Sequence, residues 1–265
     1  MRADDRPVVL KVEDLSLSFG GLQALDSVTF EVKQGEIFGI IGPNGAGKSC
    51  VFNCMNGFYR PNRGEIYFEE KRITKMRPDK IAQLGISRTF QNIQLYSGLS
   101  VAENFMAARH FLFNSTWIEA PIYFLVRTHG EEVKHRRAVE DVIRFLDLEP
   151  YRKTKVNVMS YGLRKRVDLG RALCQNPRLL ILDEPMAGVD ATLKGTMART
   201  ILDVQEEKGI TIVIIEHDMG VVMDLCDRVM VLDFGRKIAE GPPEQIRQDP
   251  EVIKAYIGEE VAVTK

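Results

Sequence analysis

The sequence predicts an α/β protein: a mostly parallel sheet covered by helices, preceded by an antiparallel β region and interrupted by a helical insertion. Three observations carry that expectation. Short unbroken apolar runs recur at Ile37-Phe38-Gly39-Ile40-Ile41, Leu179-Leu180-Ile181-Leu182, Ile212-Val213-Ile214-Ile215 and Val229-Met230-Val231-Leu232. Strands apolar on both faces belong in a sheet that is buried on both sides. The first thirty residues alternate apolar with polar instead, as a half-buried antiparallel pair does. Between about Asn92 and Val158 strand-like runs are few, and Val139, Val142, Ile143 and Leu146 recur at helical spacing.

Each element follows from local patterning. Leu15, Leu17 and Phe19 alternate with polar residues, Gly20-Gly21 supplies a turn, and Val28, Phe30 and Val32 alternate again. The run at Ile37 leads into a Gly-rich turn and then a helical stretch ending near Gly57. Near the end of the sequence, Ile246, Val252, Ile253 and Tyr256 fall at helical spacing, and Asp249-Pro250 splits that stretch because a residue before proline avoids helical backbone. No internal repeat and no Gly/Ser-rich linker divides the chain. One domain over 1–265 is therefore expected, with 92–158 as a helical subdomain and 1–91 plus 159–265 as the core and its antiparallel β region.

Composition narrows the function. The 265 residues are 45% hydrophobic and 28% charged, as in an ordinary globular protein, and 36 basic against 37 acidic residues leave a net charge of −1. That balance gives no bulk attraction for a polyanion, so no nucleic-acid partner is expected. Cys50, Cys54, Cys174 and Cys226 form no CxxC pair, and the start MRADDRPVVL has no apolar signal segment, so a cytoplasmic, reducing location is expected. The longest apolar stretch, Trp117 to Val126, contains Glu119 and Pro121 and is about half a bilayer span.

The strongest chemical signal is Gly42-Pro43-Asn44-Gly45-Ala46-Gly47-Lys48-Ser49, which fills G-x-x-x-x-G-K-[ST] between an expected strand and an expected helix. Glycines let backbone N–H groups converge on phosphate oxygens, and the helix beginning near Lys48 adds its positive end. Lys48 is expected to neutralise the β- and γ-phosphates of a nucleotide, and Ser49 to offer its hydroxyl to Mg²⁺. A second element, Asp183-Glu184-Pro185, ends the run at Leu179. Adjacent carboxylates there are costly unless a metal or water uses them. A parallel strand delivers its last residue to the edge that carries the phosphate loop, so Asp183 is expected in the Mg²⁺ shell and Glu184 beside the attacking water. A lone Asp-Glu pair would read as two solvated carboxylates; the phosphate loop upstream favours the chemical reading.

In their order these motifs resemble those of the ATP-binding cassette (ABC) ATPases. Arg88-Thr89-Phe90-Gln91-Asn92 is similar to the family's Q-loop, and Met159-Ser160-Tyr161-Gly162-Leu163 with Arg164 to Leu173 resembles its signature segment. Gly188-Val189-Asp190 stands at the D-loop position, and Glu216-His217-Asp218 carries the switch histidine. The resemblance implies the P-loop NTPase fold of that family, with a RecA-like parallel-sheet core, an antiparallel β subdomain and a helical subdomain, and it implies ATP and Mg²⁺ as ligands. It implies that Phe19 stacks on adenine and that Gly42, Pro43, Asn44, Gly45, Ala46, Gly47, Lys48, Ser49 and Cys50 surround the phosphates. It implies further that Ser49, Gln91 and Asp183 serve the metal, and that Glu184, His217 and Gln91 act in hydrolysis. Ser160, Tyr161 and Gly162 would meet the γ-phosphate held by the opposite subunit of a dimer. Plainer readings stand beside three of these: Ser160 as a helix N-cap, His217 as a structural histidine and Phe19 as filling on a strand face. Leu163 in place of Gln, Tyr161 in place of Gly and Cys50 in place of Thr depart from the family pattern.

Within the family, the phrases Phe19-Gly20-Gly21-Leu22, Val51-Phe52-Asn53-Cys54, Asn56-Gly57-Phe58-Tyr59 and Glu216-His217-Asp218-Met219, with the ending Val252 to Gly258, are similar to ATPase subunits of branched-chain amino acid importers. The implied partners are transmembrane permease subunits, a second ATPase subunit of the same or a sister kind, and indirectly a periplasmic substrate-binding protein. The implied place is peripheral, on the inner face of the cell membrane, with Gln91 to Glu103 as the candidate permease dock. Urea or amide import, lipid export, and a soluble machine acting on DNA or ribosomes are the alternatives. The last class usually carries coiled coils, zinc modules or tandem cassettes, which this sequence lacks. A cassette that binds ATP without hydrolysing it is disfavoured by the presence of both Glu184 and His217.

Overall fold

The computed structural model describes residues 6–90, 93–112 and 121–263. Gln91, Asn92 and Trp117 lie outside the described residues. The expected antiparallel pair is β1 (Val8–Phe19) and β2 (Leu22–Lys33). Its alternation is broken in both strands: Val12 and Leu15 are both buried, as are Leu25 and Val28. The register shifts there, and Asp14 and Ser27 take left-handed backbone to absorb the extra residues. The Thr29 hydroxyl accepts the Asp14 N–H at 2.9 Å and the Ser16 hydroxyl accepts that of Ser27 at 3.0 Å, so these irregularities leave no buried donor without a partner.

β3 (Ile37–Ile41) runs into α1 (Lys48–Met55). Two strands not foreseen individually, β4 (Arg63–Phe68) and the two-residue β5 (Lys71–Arg72), complete a four-stranded sheet in the order β2-β1-β4-β5. After α2 (Pro78–Gln83) and β6 (Ile86–Arg88), the described residues up to 158 carry helices α3 (Val101–Ala108) and α4 (Pro121–Phe145). The apolar positions read at helical spacing in that region, Val139, Val142, Ile143 and Leu146, are all buried.

The chain then alternates α5 (Tyr161–Leu173), β7 (Leu179–Asp183), α6 (Ala191–Lys208), β8 (Thr211–Ile215), α7 (Met219–Leu225) and β9 (Arg228–Asp233), and closes with β10 (Arg236–Gly241), α8 (Pro243–Gln248) and α9 (Pro250–Val263). The second sheet has the order β10-β9-β3-β8-β7-β6, parallel throughout except at the β10–β9 hairpin. Its strands distribute their side chains to two faces. Ile37, Ile41, Leu180, Leu182, Ile212, Ile214, Val229 and Val231 pack with α3 to α7, whereas Phe38, Ile40, Ile181, Val213, Ile215, Met230 and Leu232 pack with α1 and the antiparallel sheet. Both faces are dry, which is why these four runs carry no polar alternation. The adjacent parallel strands β3, β8 and β7 are thereby clamped from above and below, and their carboxyl ends share one edge.

Candidate nucleotide site

The loop 42–49 leaves β3 at that edge. Gly42, Gly45 and Gly47 all have positive φ (151°, 79° and 101°), and a Cβ at Gly42 would lie 2.1 Å from the Leu232 carbonyl oxygen. Only glycine permits this turn beside β9. Lys48 opens α1 and is buried; its ammonium donates to the carbonyl oxygens of Gly42 at 2.6 Å and Pro43 at 2.9 Å. These bonds hold a positive charge against the first turn of the loop. Asn44, Gly45 and Ser49 are exposed, Ala46 is buried and Cys50 is half-buried. Pro43 lies inside, and its carbonyl also accepts the Ala46 N–H at 3.2 Å.

The register across the sheet places the acidic element. Asp183 pairs with Ile215, and Ile215 pairs with Ile40, so Asp183 stands level with the strand that feeds the loop, one strand removed. Its N–H donates to the Thr89 hydroxyl at 3.2 Å. Burial, reinforced by the neighbouring Glu184 charge, pushes the Asp183 carboxyl up to about 6. A buried carboxylate next to a second one, with the Ser49 hydroxyl at the start of α1, is a hard-oxygen donor set that suits Mg²⁺. Among the described residues no group of three or more His, Cys, Asp or Glu is placed to hold a metal ion by itself.

The raised Asp183 value fixes a sign. The folded chain keeps this proton to higher pH than the unfolded chain does, so the associated stability is present below about pH 4 and is lost as pH rises through about 6. Asp183→Asn is therefore expected to stabilise the nucleotide-free protein at pH 7.5 by about 1 to 3 kcal/mol and by roughly a third as much at pH 4.5. Urea unfolding at the two pH values checks this; an equal effect at both would contradict the burial argument.

Glu184 follows Asp183 with φ at +46°, a conformation that costs a non-glycine residue about 1–2 kcal/mol. Its peptide groups are held on both sides. The N–H donates to Ile215 O at 2.9 Å, and the carbonyl accepts the Lys165 ammonium at 2.9 Å and the Ala187 N–H at 3.1 Å. His217, directly beyond β8 and Glu216, places Nδ1 3.9 Å from a Glu184 carboxylate oxygen and 3.7 Å from one of Glu216. With its side chain 59% exposed, His217 is no core histidine.

Phe19, at the end of β1, is also outside the core: it is 46% exposed and meets Tyr59 edge to face at a centroid distance of 5.2 Å. Ser160 does cap α5, its hydroxyl accepting the Leu163 N–H at 3.4 Å, and Ser160 and Tyr161 are exposed. The neighbours of this turn are in the D-loop region: a Cβ at Gly162 would meet Leu193, and one at Gly188 would meet the Tyr161 ring.

Three residues of this edge escaped the sequence reading. Glu216 is fully buried and its carboxylate accepts the N–H of Met186 at 2.8 Å and of His217 at 3.3 Å, while burial pushes its carboxyl up. Lys165 is buried beneath Glu184, and Tyr59 backs Phe19. Lys165 had a readable signal: with Asp168, Leu169 and Ala172 it occupies one face of α5, where opposite charges stand three residues apart beside apolar positions. Glu216 and Tyr59 had none, because their partners are distant in sequence.

Known proteins match this chain along most of its length. The ABC transporter family profile matches residues 25–187, and that of the branched-chain amino acid ATP-binding cassette transporter matches residues 236–262. The chain is 37% identical over 257 residues to the high-affinity branched-chain amino acid transport ATP-binding protein BraF of Pseudomonas aeruginosa, covering 96% of this chain and 99% of that one. It is 35% identical over 254 residues to LivG of Escherichia coli, an ATP-binding protein of the same description, at 95% and 98% coverage. The solved ADP conformation of MJ1267, an ATP-binding cassette of an ABC transporter, superposes with a TM-score of 0.82 at 33% identity and covers 95% of this chain and 99% of that one. A glycine-built phosphate loop, an in-register Asp-Glu edge and relatives matched almost end to end converge on one conclusion: the chain belongs to the ATP-binding cassette family of ABC transporters, whose members bind and hydrolyse ATP.

Proposed function

We propose that this chain is the ATP-hydrolysing subunit of an importer for branched-chain amino acids. The observation that carries the hydrolytic reading is the level placement of Asp183 with the β3 strand and its loop, on one sheet edge. The loop amides and Lys48 take the triphosphate, Phe19 with Tyr59 behind it takes the adenine face, and Ser49, Asp183 and Gln91 take Mg²⁺. When bound, the ion supplies positive charge to the β- and γ-phosphate oxygens. Glu184 orients a water and accepts its proton as the water oxygen attacks the γ-phosphorus; the bond to the β–γ bridging oxygen breaks, giving ADP and phosphate. His217 Nε2 is the remaining ring nitrogen and serves the γ-phosphate.

Ser160 and Tyr161 stand exposed, with Gly162 half-buried beside them, at the start of a 13-residue helix, where backbone N–H groups favour an anion. We read this turn as serving nucleotide on a second ATPase subunit, so that two chains sandwich two Mg-ATP molecules and open after hydrolysis. Coupling to permease subunits is assigned to the segment around Gln91 to Glu103. Just beyond this segment, the buried Asn104 side chain binds the Tyr96 N–H and the Tyr96, Leu99 and Ser100 carbonyls within it, and Tyr96 itself is exposed. Among the described residues no helix is long and apolar enough to cross a membrane, so the membrane contact is assigned to those partners at the inner face. Substrate choice would rest with the permease and a periplasmic binding protein. The importer assignment is supported by the 236–262 match, which falls on β10, α8 and α9, and by the relatives' descriptions. Uptake of labelled leucine in cells with and without this chain tests it: removal is expected to abolish the high-affinity component. Unchanged leucine uptake with loss of urea, amide or lipid transport would transfer the chain to another substrate.

A further inference from the structure

Lys165 presents a puzzle that packing alone does not solve. It is 4% exposed, and a buried ammonium is costly where a methionine of similar length would fill the space. Its Nζ donates to the Glu184 carbonyl at 2.9 Å and lies 5.8 Å from the centre of the Tyr161 ring. The negative charges opposing it belong to Asp168, 1% exposed, and Asp183, 9% exposed. It lines a cavity of about 10 Å³ with Thr89, Phe90, Asp168, Leu182 and Pro185, so there is little room for the side chain to relocate.

The bond reaches the one residue of the acidic edge whose backbone is left-handed. With the N–H of Glu184 tied to β8 and its carbonyl tied to α5, both flanking peptides are fixed, and so is the direction in which its Cα–Cβ bond projects. We infer that Lys165 is a positioning residue for hydrolysis: it holds the Glu184–Pro185 peptide so that the Glu184 carboxylate meets the attacking water. Because Lys165 lies five residues after Ser160 on the same helix, displacement of that helix is passed to Glu184 through a single hydrogen bond. The Tyr161 ring, one turn earlier on the same helix, lies next to where a Cβ on Gly188 would stand, so the start of α5 also packs close to the loop after Glu184. The nucleotide state at the start of α5 is thus felt at a carboxylate that acts on the other nucleotide of the pair. The inference rests on Glu184 being the general base.

The test uses the full chain, purified in its membrane assembly, with Lys165→Met, Lys165→Gln and Lys165→Arg made alone and together with Glu184→Gln. Lys165→Met and Lys165→Gln should each lower kcat by about 10- to 100-fold, the scale on which a misplaced catalytic group loses rate, with KM for ATP within about two-fold. Lys165→Arg, which keeps a charged donor, should recover the rate to within about five-fold of wild type. In the Glu184→Gln background, single-turnover hydrolysis should fall by less than about two-fold more, because one group acts through the other. Should Lys165→Met fail to fold, Lys165→Gln and Lys165→Arg carry the same comparison. Losses that multiply in the double variants, an unaltered kcat, or a raised KM with kcat intact would overturn the inference. A normal rate in Glu184→Gln alone would instead overturn the base assignment beneath it.

Discussion

Glu184→Gln is expected to keep ATP affinity and to slow hydrolysis by roughly 10² to 10⁴, the range a positioned general base supplies. Gln preserves the shape and can still hold a water, but it cannot take the proton that must leave as the water oxygen bonds to phosphorus. The structure separates this carboxylate from its neighbour Glu216. Both oxygens of Glu216 accept backbone N–H groups, from Met186 and His217, and the residue is fully enclosed, so its place is to brace the loop after Glu184 and the backbone at His217. The Glu184 side chain is partly exposed, beside His217. The same chemistry predicts that ATP-bound pairs of Glu184→Gln chains persist, because their opening waits on hydrolysis. Single-turnover hydrolysis and gel filtration with ATP check both expectations; turnover near the wild-type rate would remove Glu184 from the mechanism.

Lys48→Ala is expected to weaken ATP binding by roughly 30- to 150-fold, corresponding to the loss of charge-assisted hydrogen bonds of about 2–3 kcal/mol to the phosphates. A second consequence comes from the loop itself. The Lys48 ammonium bonds the Gly42 and Pro43 carbonyls, so truncation removes both bonds, leaves Pro43 with only the Ala46 N–H, and loosens the turn before any ligand arrives. Stability without nucleotide should fall by about 1–2 kcal/mol, and the salt dependence of ATP binding should flatten as one phosphate contact disappears. Fluorescent-nucleotide titration at two ionic strengths reads both effects. Unchanged affinity would contradict the assigned cradle.

Much of this architecture was legible because its signals are local. Runs such as Leu179 to Leu182 announce a strand buried on both faces, and Ser160 announces the start of α5, within a few residues of chain. The bulges at Asp14 and Ser27 were not legible, since each depends on the register of one strand against another. β4 also escaped notice: its buried Ile66 and Phe68 alternate over only six residues that include Arg63 and Gly64. Phe19 illustrates the intermediate case. Its position at a strand end was evident, but whether it fills the core or faces outward is set by Tyr59, forty residues away, and by the turn that follows β1.

The amino-acid sequence alone determined the phosphate loop, the Asp183-Glu184 pair at a strand end and the main buried strands and helices, because glycine conformation, capping and apolar periodicity are properties of neighbouring residues. Tertiary structure decided what those residues face. β8 lies between β3 and β7 and sets Asp183 level with Ile40, a relation fixed by inter-strand hydrogen bonds between segments that are far apart in the chain. The Glu184 backbone is pinned by Lys165 and Ile215, and Glu216 by Met186, through contacts that form only when α5, β7 and β8 pack on one core. Chemistry of this kind is a matter of aim, and aim comes from long-range packing that no local pattern encodes.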